Sequence, residues 1–193
     1  MDLMALIKDR RTVRVYKNEN VPDSVIESIV EAGIWAPSAH NFQPWRFVAI
    51  TNKKKIEEIV MVLNNKANEL YSGFNIIMRD TAKHLAKVPV LIAVYSDKSI
   101  TAKFERFGAP YSEMSELFEN QSLSAAIQNI LLYVHSIGLG GCWYGMPILC
   151  EQSINTITGF SGKLLALLSV GVPDEKPIQM KRKPLKEVLT ILS

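Results

Sequence analysis

Three separated stretches of the chain carry side chains able to do chemistry. The first, RRTVRVY at residues 10–16, sets Arg10, Arg11 and Arg14 beside the hydroxyl of Thr12. Guanidinium forks capture phosphate or a polarised carbonyl through paired N–H donors, and a neighbouring hydroxyl adds a further donor. Taken alone, such an arginine group is more often a solvated basic turn. The second stretch, WAPSAHNFQPW at residues 35–45, packs turn formers and amide side chains between two tryptophans. It reads either as a stiff connection whose Asn41 and Gln43 satisfy local backbone or as a loop that touches a ligand. The third is MKRKP, residues 180–184, a basic patch in a Pro- and Lys-rich tail. His40 reads as a surface histidine, and His84 and His135 as structural ones. Neither Cys142 nor Cys150 is expected to be a nucleophile, since no histidine or helix N-terminus is predicted close enough to lower a thiol pKa.

Several familiar signatures are missing. The glycines of GLGGCWYG follow a helix and lack the third glycine of a dinucleotide fingerprint, and no phosphate loop, GxSxG elbow or HExxH occurs. A nicotinamide would therefore visit a site that has no dinucleotide-binding unit of its own. Two cysteines and three scattered histidines leave neither a disulfide framework nor a zinc pattern, which reads as a reduced, cytoplasmic protein. A net charge of +3 without interleaved aromatic and basic residues is a poor footprint for nucleic acid. Residues 120–150 contain no Asp, Glu, Lys or Arg, but Gln121, Gln128, Asn129, His135 and glycines break the run, so it fails as a membrane span.

Hydrophobic residues at 48% of 193 are enough for a sizeable core, and no repeat or Gly/Ser linker divides the chain, so residues 1–193 read as a single domain. A short amphipathic helix is expected from Asp2 to about Lys8. A second follows Pro22, with Ser24 and Glu27 at capping-box spacing and Val25, Ile29 and Ala32 as its apolar stripe. Arg46–Thr51 reads as a strand, and Asn52 as the cap of a helix over KKKIEEIVMVL. Residues 64–87 are mostly helical, and Pro89–Tyr95 suits a central strand. The polar stretch 96–119 reads as a lid or excursion. Ser122–Ile137 is a long buried helix closed by Gly138, followed by a strand from Gly141 to Tyr144, a helix over Glu151–Thr158 and a buried strand over Leu164–Val172. The order is mixed, and an α+β sandwich fits it.

Taken together, the three stretches resemble the FMN-dependent nitroreductases. Arg10-Arg11-Thr12-Val13-Arg14 is similar to an RRSxR element, and Pro37–Trp45 to a PSAxNxQPW loop. Ala126–Trp143 is similar to an AIQNxLLxxHxxGLGxCW segment, and Gly171–Val188 to a GxP…KRKPLxEV ending. The resemblance implies a nitroreductase-like α+β sandwich with a central mixed or antiparallel sheet flanked by helices. It also implies a homodimer with FMN at the interface, and NADH or NADPH as transient electron donor. By the same resemblance Arg10, Arg11 and Thr12 hold phosphate and ribityl, Arg14 lies near N1 and O2, and Arg182 adds a phosphate contact. Pro37, Ser38, Ala39 and Asn41 come from the partner subunit, and Trp143, Tyr144 and Gly145 line the ring near N5. Asn65 and Asn68 are candidates for the pyrimidine edge. No protein side chain is expected to be catalytic, because the flavin N5 carries the chemistry and Arg14 tunes it. The implied activity passes electrons from NAD(P)H to an electron-poor acceptor such as a nitroaromatic or quinone, in two steps. Reductive dehalogenation, heterocycle oxidation or flavin binding without turnover are alternatives on the same fold, with residues 96–118 as the roof that would choose among them.

Overall fold

The structure, a computed structural model, describes residues 2–192. Its centre is β2 (Val90–Ser96), buried at every position. Period-two alternation divides that strand between two cores: Leu91, Ala93 and Tyr95 enter one, and Val90, Ile92 and Val94 the other. A run of Val, Leu and Ile is what a strand covered on both faces requires. Its neighbours are β1 (Trp45–Ile50) and β4 (Lys163–Gly171), and β3 (Gly140–Tyr144) lies beyond β4, giving the order β1-β2-β4-β3. All three pairings are antiparallel. The only parallel feature among the described residues is an isolated bridge between Thr12 and Gly141.

One face of the sheet is covered by α3 (Lys53–Ala67), α4 (Phe74–Leu85) and α7 (Glu151–Thr158), and the other by α2 (Asp23–Ile34) and α6 (Tyr111–Ser136). A short α1 (Leu3–Asp9) precedes them, α5 (Ser99–Phe104) follows β2, and α8 (Leu185–Val188) lies in the tail. The Asn52 side chain caps α3 by accepting the Lys55 N–H. At the end of α6, Gly138 is left-handed at φ 80°, its N–H donating to the His135 carbonyl while Leu139 donates to Val134. That is a Schellman closure, and only glycine takes its φ without strain. Among the described residues no helix is long and apolar enough to cross a membrane.

Two local expectations are corrected. The Ser24–Glu27 capping box is absent, because Pro22 occupies the N-cap and Ser24 already lies in the first turn. Proline's preset φ and missing N–H put the cap of α2 two residues earlier. The buried stripe is accordingly Ile26, Ile29 and Gly33, and a side chain at Gly33 would come within 2.9 Å of Ile130 on α6. The long buried helix begins at Tyr111 rather than Ser122. Its inner face there carries Ser115, Glu119 and Ser122, polar residues that hide an apolar stripe from a sequence reading.

Glu119 ties the 96–119 excursion to the sheet. It is 2% exposed, and its carboxylate accepts from the Ser96 hydroxyl at 3.0 Å and from the Ile100 and Thr101 N–H groups at 3.1 and 2.9 Å. The base of the excursion is thus anchored, while its outer part, around Phe107 and Tyr111, is exposed. Glu119→Ala strands three donors and should cost roughly 2–4 kcal/mol in urea unfolding, with Glu119→Gln costing about half as much. A loss below about 1 kcal/mol for Glu119→Ala would show that another contact holds the excursion.

Candidate functional site

The basic segment after α1 is held in place by backbone bonds on two sides. Val13 donates its N–H to the Gly141 carbonyl at 3.1 Å, which lays the segment along the free edge of β3. On the other side Lys17 donates to Val172 and Asp174 donates to Val15, both at 2.9 Å, joining it to the chain that leaves β4. The Glu175 carboxylate accepts the N–H groups of Arg14 and Val15. Beneath, the Tyr16 hydroxyl donates to the Val13 carbonyl and shares a 2.6 Å hydrogen bond with Ser169, and burial pushes its pKa up.

Gly140 makes the approach to β3 possible. A Cβ at that position would stand 2.7 Å from the Cβ of Val13.

Alternation along the docked segment sends Val13 inward and leaves its neighbours facing out. Arg10, Arg11, Thr12 and Arg14 line one cavity of about 780 Å³. Arg182 joins them from the tail, and Gln128 from α6. Burial, then the charges of Arg182 and Arg11, hold Arg10 below its ordinary pKa. Among the described residues none of these four arginines forms a salt bridge with a carboxylate. Glu175 lines the same cavity, but it also accepts backbone N–H groups. Arg11 is partly engaged, since its Nη1 donates to the Lys8 and Arg10 carbonyls and so caps the end of α1. The arrangement is a cluster of cations with donor capacity to spare, which suits a multiply charged anion.

The other predicted residues lie apart from this cavity. Trp143 and Tyr144 are on β3, Trp143 being 40% exposed and Tyr144 6%, and open space surrounds Gly145. The Tyr144 ring turns into the core, so only its backbone is available to a ligand. Pro37, Ser38, Ala39 and Asn41 belong to a loop held against α6, where the Ala39 N–H donates to Ser122 Oγ at 3.3 Å and the Gln43 N–H donates to Ser38 Oγ at 3.0 Å. His40, Asn41 and Gln43 all have positive φ, at 47°, 56° and 51°. Such strain in non-glycine residues concentrates at binding loops. Within one chain this loop does not line the arginine cavity.

Neither asparagine candidate reaches the cluster. Asn68 accepts from Arg79 at 2.8 Å, and Asn65 lines a separate cavity beside Cys150. The charge of Arg14 bears instead on Cys142 of β3, His84 of α4 and the buried Tyr16, and its backbone N–H donates to Glu175. Sequence reasoning missed Glu175 and set His84 aside, because both act across the fold. Gln128 was visible only as part of the AIQN segment. Contrary to expectation, Cys150 does stand at a helix N-terminus, as the N-cap of α7. Burial nevertheless raises the pKa of both thiols, so neither is activated.

A sequence profile of the nitroreductase family matches residues 7–172. The chain belongs to the nitroreductase family. A relative from Methanothermobacter thermautotrophicus, whose name groups it with NADH dehydrogenase/NAD(P)H nitroreductases, is 32% identical, over 92% of this chain and 80% of its own. An iodotyrosine deiodinase of Hydra vulgaris is 30% identical, over 97% of this chain and 72% of its own. The crystal structure of a BluB-like flavoprotein from Clostridium difficile 630 aligns with a TM-score of 0.80 at 30% identity, over 100% of both chains. The nitroreductase profile ends at Val172, so Arg182 reaches the cavity from beyond it.

If Gly140 is required by Val13, Gly140→Ala should lower stability by about 1–3 kcal/mol. The double variant Gly140→Ala/Val13→Gly, which removes the opposing Cβ, should then cost at least about 1 kcal/mol less than the sum of the two single changes. Additive losses in chemical denaturation would show that the glycine serves another contact.

Proposed function

We propose that this nitroreductase binds FMN and passes electrons from NADH or NADPH to an electron-poor small molecule. The observation that carries the reading is the cavity bordered by Arg10, Arg11, Arg14 and Arg182, where guanidinium groups crowd together without ion-paired carboxylates. A phosphate dianion with a planar, polar-edged ring system relieves that crowding, and the donors fit it. Arg10 and Arg182, with Thr12, hold the phosphate, and Arg11 contributes the donors that α1 leaves free. Each charge-assisted hydrogen bond is worth roughly 1.5–3 kcal/mol. Arg14 keeps a positive charge at the pyrimidine edge, and the Trp143–Gly145 backbone offers a polar border for the ring. FMN, when bound, supplies the two-electron chemistry by accepting hydride from the nicotinamide and passing the electrons on.

The cofactor site is completed by a second copy of the chain. Support comes from apolar side chains left exposed in one subunit: Leu3, Met4 and Ile7 on α1, and Leu189, Ile191 and Leu192 in the tail. So many large apolar groups left exposed belong in an interface. The strained Pro37–Asn41 loop, remote from the arginine cavity of its own chain, then covers the partner's cofactor.

Reductive dehalogenation is a second reading of the same site, favoured by the likeness to the Hydra deiodinase. Anaerobic assays with a halogenated phenol and with a nitroaromatic separate the two by which compound is turned over.

The purified protein should be yellow and should bleach when NADH or NADPH is added without oxygen. Arg182→Ala should weaken FMN binding about 10- to 100-fold in a fluorescence titration of the apoprotein. Unchanged affinity would remove the tail from the site. The shared site is tested with differently tagged heterodimers that combine an inactive Arg14→Ala chain and an inactive Asn41→Ala chain. One of the two sites then receives both lesions and the other neither, so about half of wild-type activity per dimer should return. Heterodimers as inactive as their parents would mean that both residues serve one chain's own flavin.

A further inference from the structure

The two walls of the arginine cavity are fastened unequally. One wall is the basic segment, bonded to β3 and to the chain that leaves β4. The other is the tail, which lines the same space with Glu175, with Pro177–Met180 and with Arg182. Among the described residues, 176–183 make no backbone hydrogen bond and no salt bridge to the rest of the chain. The last fastening before that stretch is the side chain of Glu175. Its Oε1 accepts the Arg14 N–H at 2.5 Å and the Val15 N–H at 3.0 Å, next to the bond that Asp174 donates to the Val15 carbonyl.

Among the described residues that line the cavity, Glu175 is the one acid, set against five cations: Lys8 and the four arginines. A carboxylate in such company ordinarily pairs with a guanidinium. This one forms a salt bridge with none of them. The adjacent N–H groups of Arg14 and Val15 hold it instead. The guanidinium donors are thereby kept for a ligand.

We propose that Glu175 is a positioning residue for the cofactor, a latch whose two backbone bonds hold Arg14 and the Arg182-bearing tail as opposite walls of one anion site. The inference rests on the FMN reading of the arginine cavity. Ordering both walls before the ligand arrives removes a cost that binding would otherwise carry. Hydrogen bonds behind the binding groups are what keep such a site to its geometry. The carboxylate therefore helps by its reach and its accepting oxygen, whereas its negative charge opposes an anionic ligand. These two influences have opposite signs, and substitution separates them.

The test is a fluorescence titration of apoprotein variants with FMN. Glu175→Gln keeps the length and the accepting oxygen but loses the charge, so it should bind FMN as tightly as the wild type or up to about tenfold more tightly. Glu175→Asp keeps the charge but falls one methylene short, and Glu175→Ala has neither. Both should bind about tenfold or more weakly. In the apoproteins, hydrogen exchange at the Arg14 and Val15 amides should quicken in the Asp and Ala variants and not in the Gln variant. In the Glu175→Ala background, Arg182→Ala should weaken binding by no more than about threefold further, because the tail is already unfastened. Should Glu175→Ala fail to fold, the Asp and Gln variants carry the comparison, with Arg182→Ala placed on Glu175→Asp. FMN held by the Asp or Ala variant as tightly as by the wild type overturns this proposal alone. So does a Gln variant as weak as the Asp variant, or an Arg182→Ala loss that multiplies in full. A protein that takes up no FMN overturns the cofactor reading and this proposal with it.

Discussion

Mutual repulsion among guanidinium groups is the constraint around which this structure is organised. Arg10, Arg11, Arg14 and Arg182 face one cavity, and no side-chain attraction among them could keep them there. The work is done by neutral backbone contacts: Val13 to Gly141, Lys17 to Val172, and Asp174 to Val15. Behind them, Tyr16 and Ser169 form a polar contact on the buried side, which leaves the arginine side chains on the outer side. The energy that assembles the cluster therefore comes from sheet-like hydrogen bonding and apolar packing. The unfavourable charge term is left for a ligand to relieve.

The two-core architecture follows the same division of labour. A strand buried on both faces gives β4 and β3 a rigid template, and their ends are where the basic segment docks. Helices α3, α4 and α7 cover the face that contains Val13, Tyr16, Cys142 and Tyr144. Helices α2 and α6 cover the opposite face, and the strained loop leans on α6 through Ser122. The arginine cluster thus takes its backbone from the edge of the sheet and the loop takes its position from α6, and among the described residues the loop lines no part of the arginine cavity.

Much of this was legible where the signal is local. Residues 89–95 carry a continuous apolar run, Asn52 stands ahead of an amphipathic stretch, and Gly138 follows the long helix, so β2, α3 and the end of α6 were readable. The start of α6 was not, because Ser115, Glu119 and Ser122 occupy its buried face and erase the periodicity. Ser24 had the spacing of a cap but lost the position to Pro22, whose ring fixes φ two residues earlier. Arg10, Arg11, Arg14 and Arg182, which line one cavity, stood out in the sequence by side-chain chemistry and motif. Glu175 did not, since it is an ordinary residue in its own segment and meets the Arg14 N–H only through tertiary packing. Within one chain neither asparagine candidate reaches the arginine cavity: Asn65 lines a separate cavity beside Cys150, and Asn68, at the C-cap of α3, accepts from Arg79.

The clasp between the basic segment and Glu175 spans 161 residues. Synthesis runs from the amino end, so Arg14 emerges long before the carboxylate that fixes its backbone. The sheet cannot present that clasp until β4 has paired with β2, and contacts of such long separation form late. Assembly of the anion site is therefore coupled to completion of the fold. A nascent or partly folded chain has dispersed arginines, each solvated on its own, and no cavity to concentrate them. Capture of a phosphorylated ligand thereby reports on folding: the chain that binds is the chain that has finished.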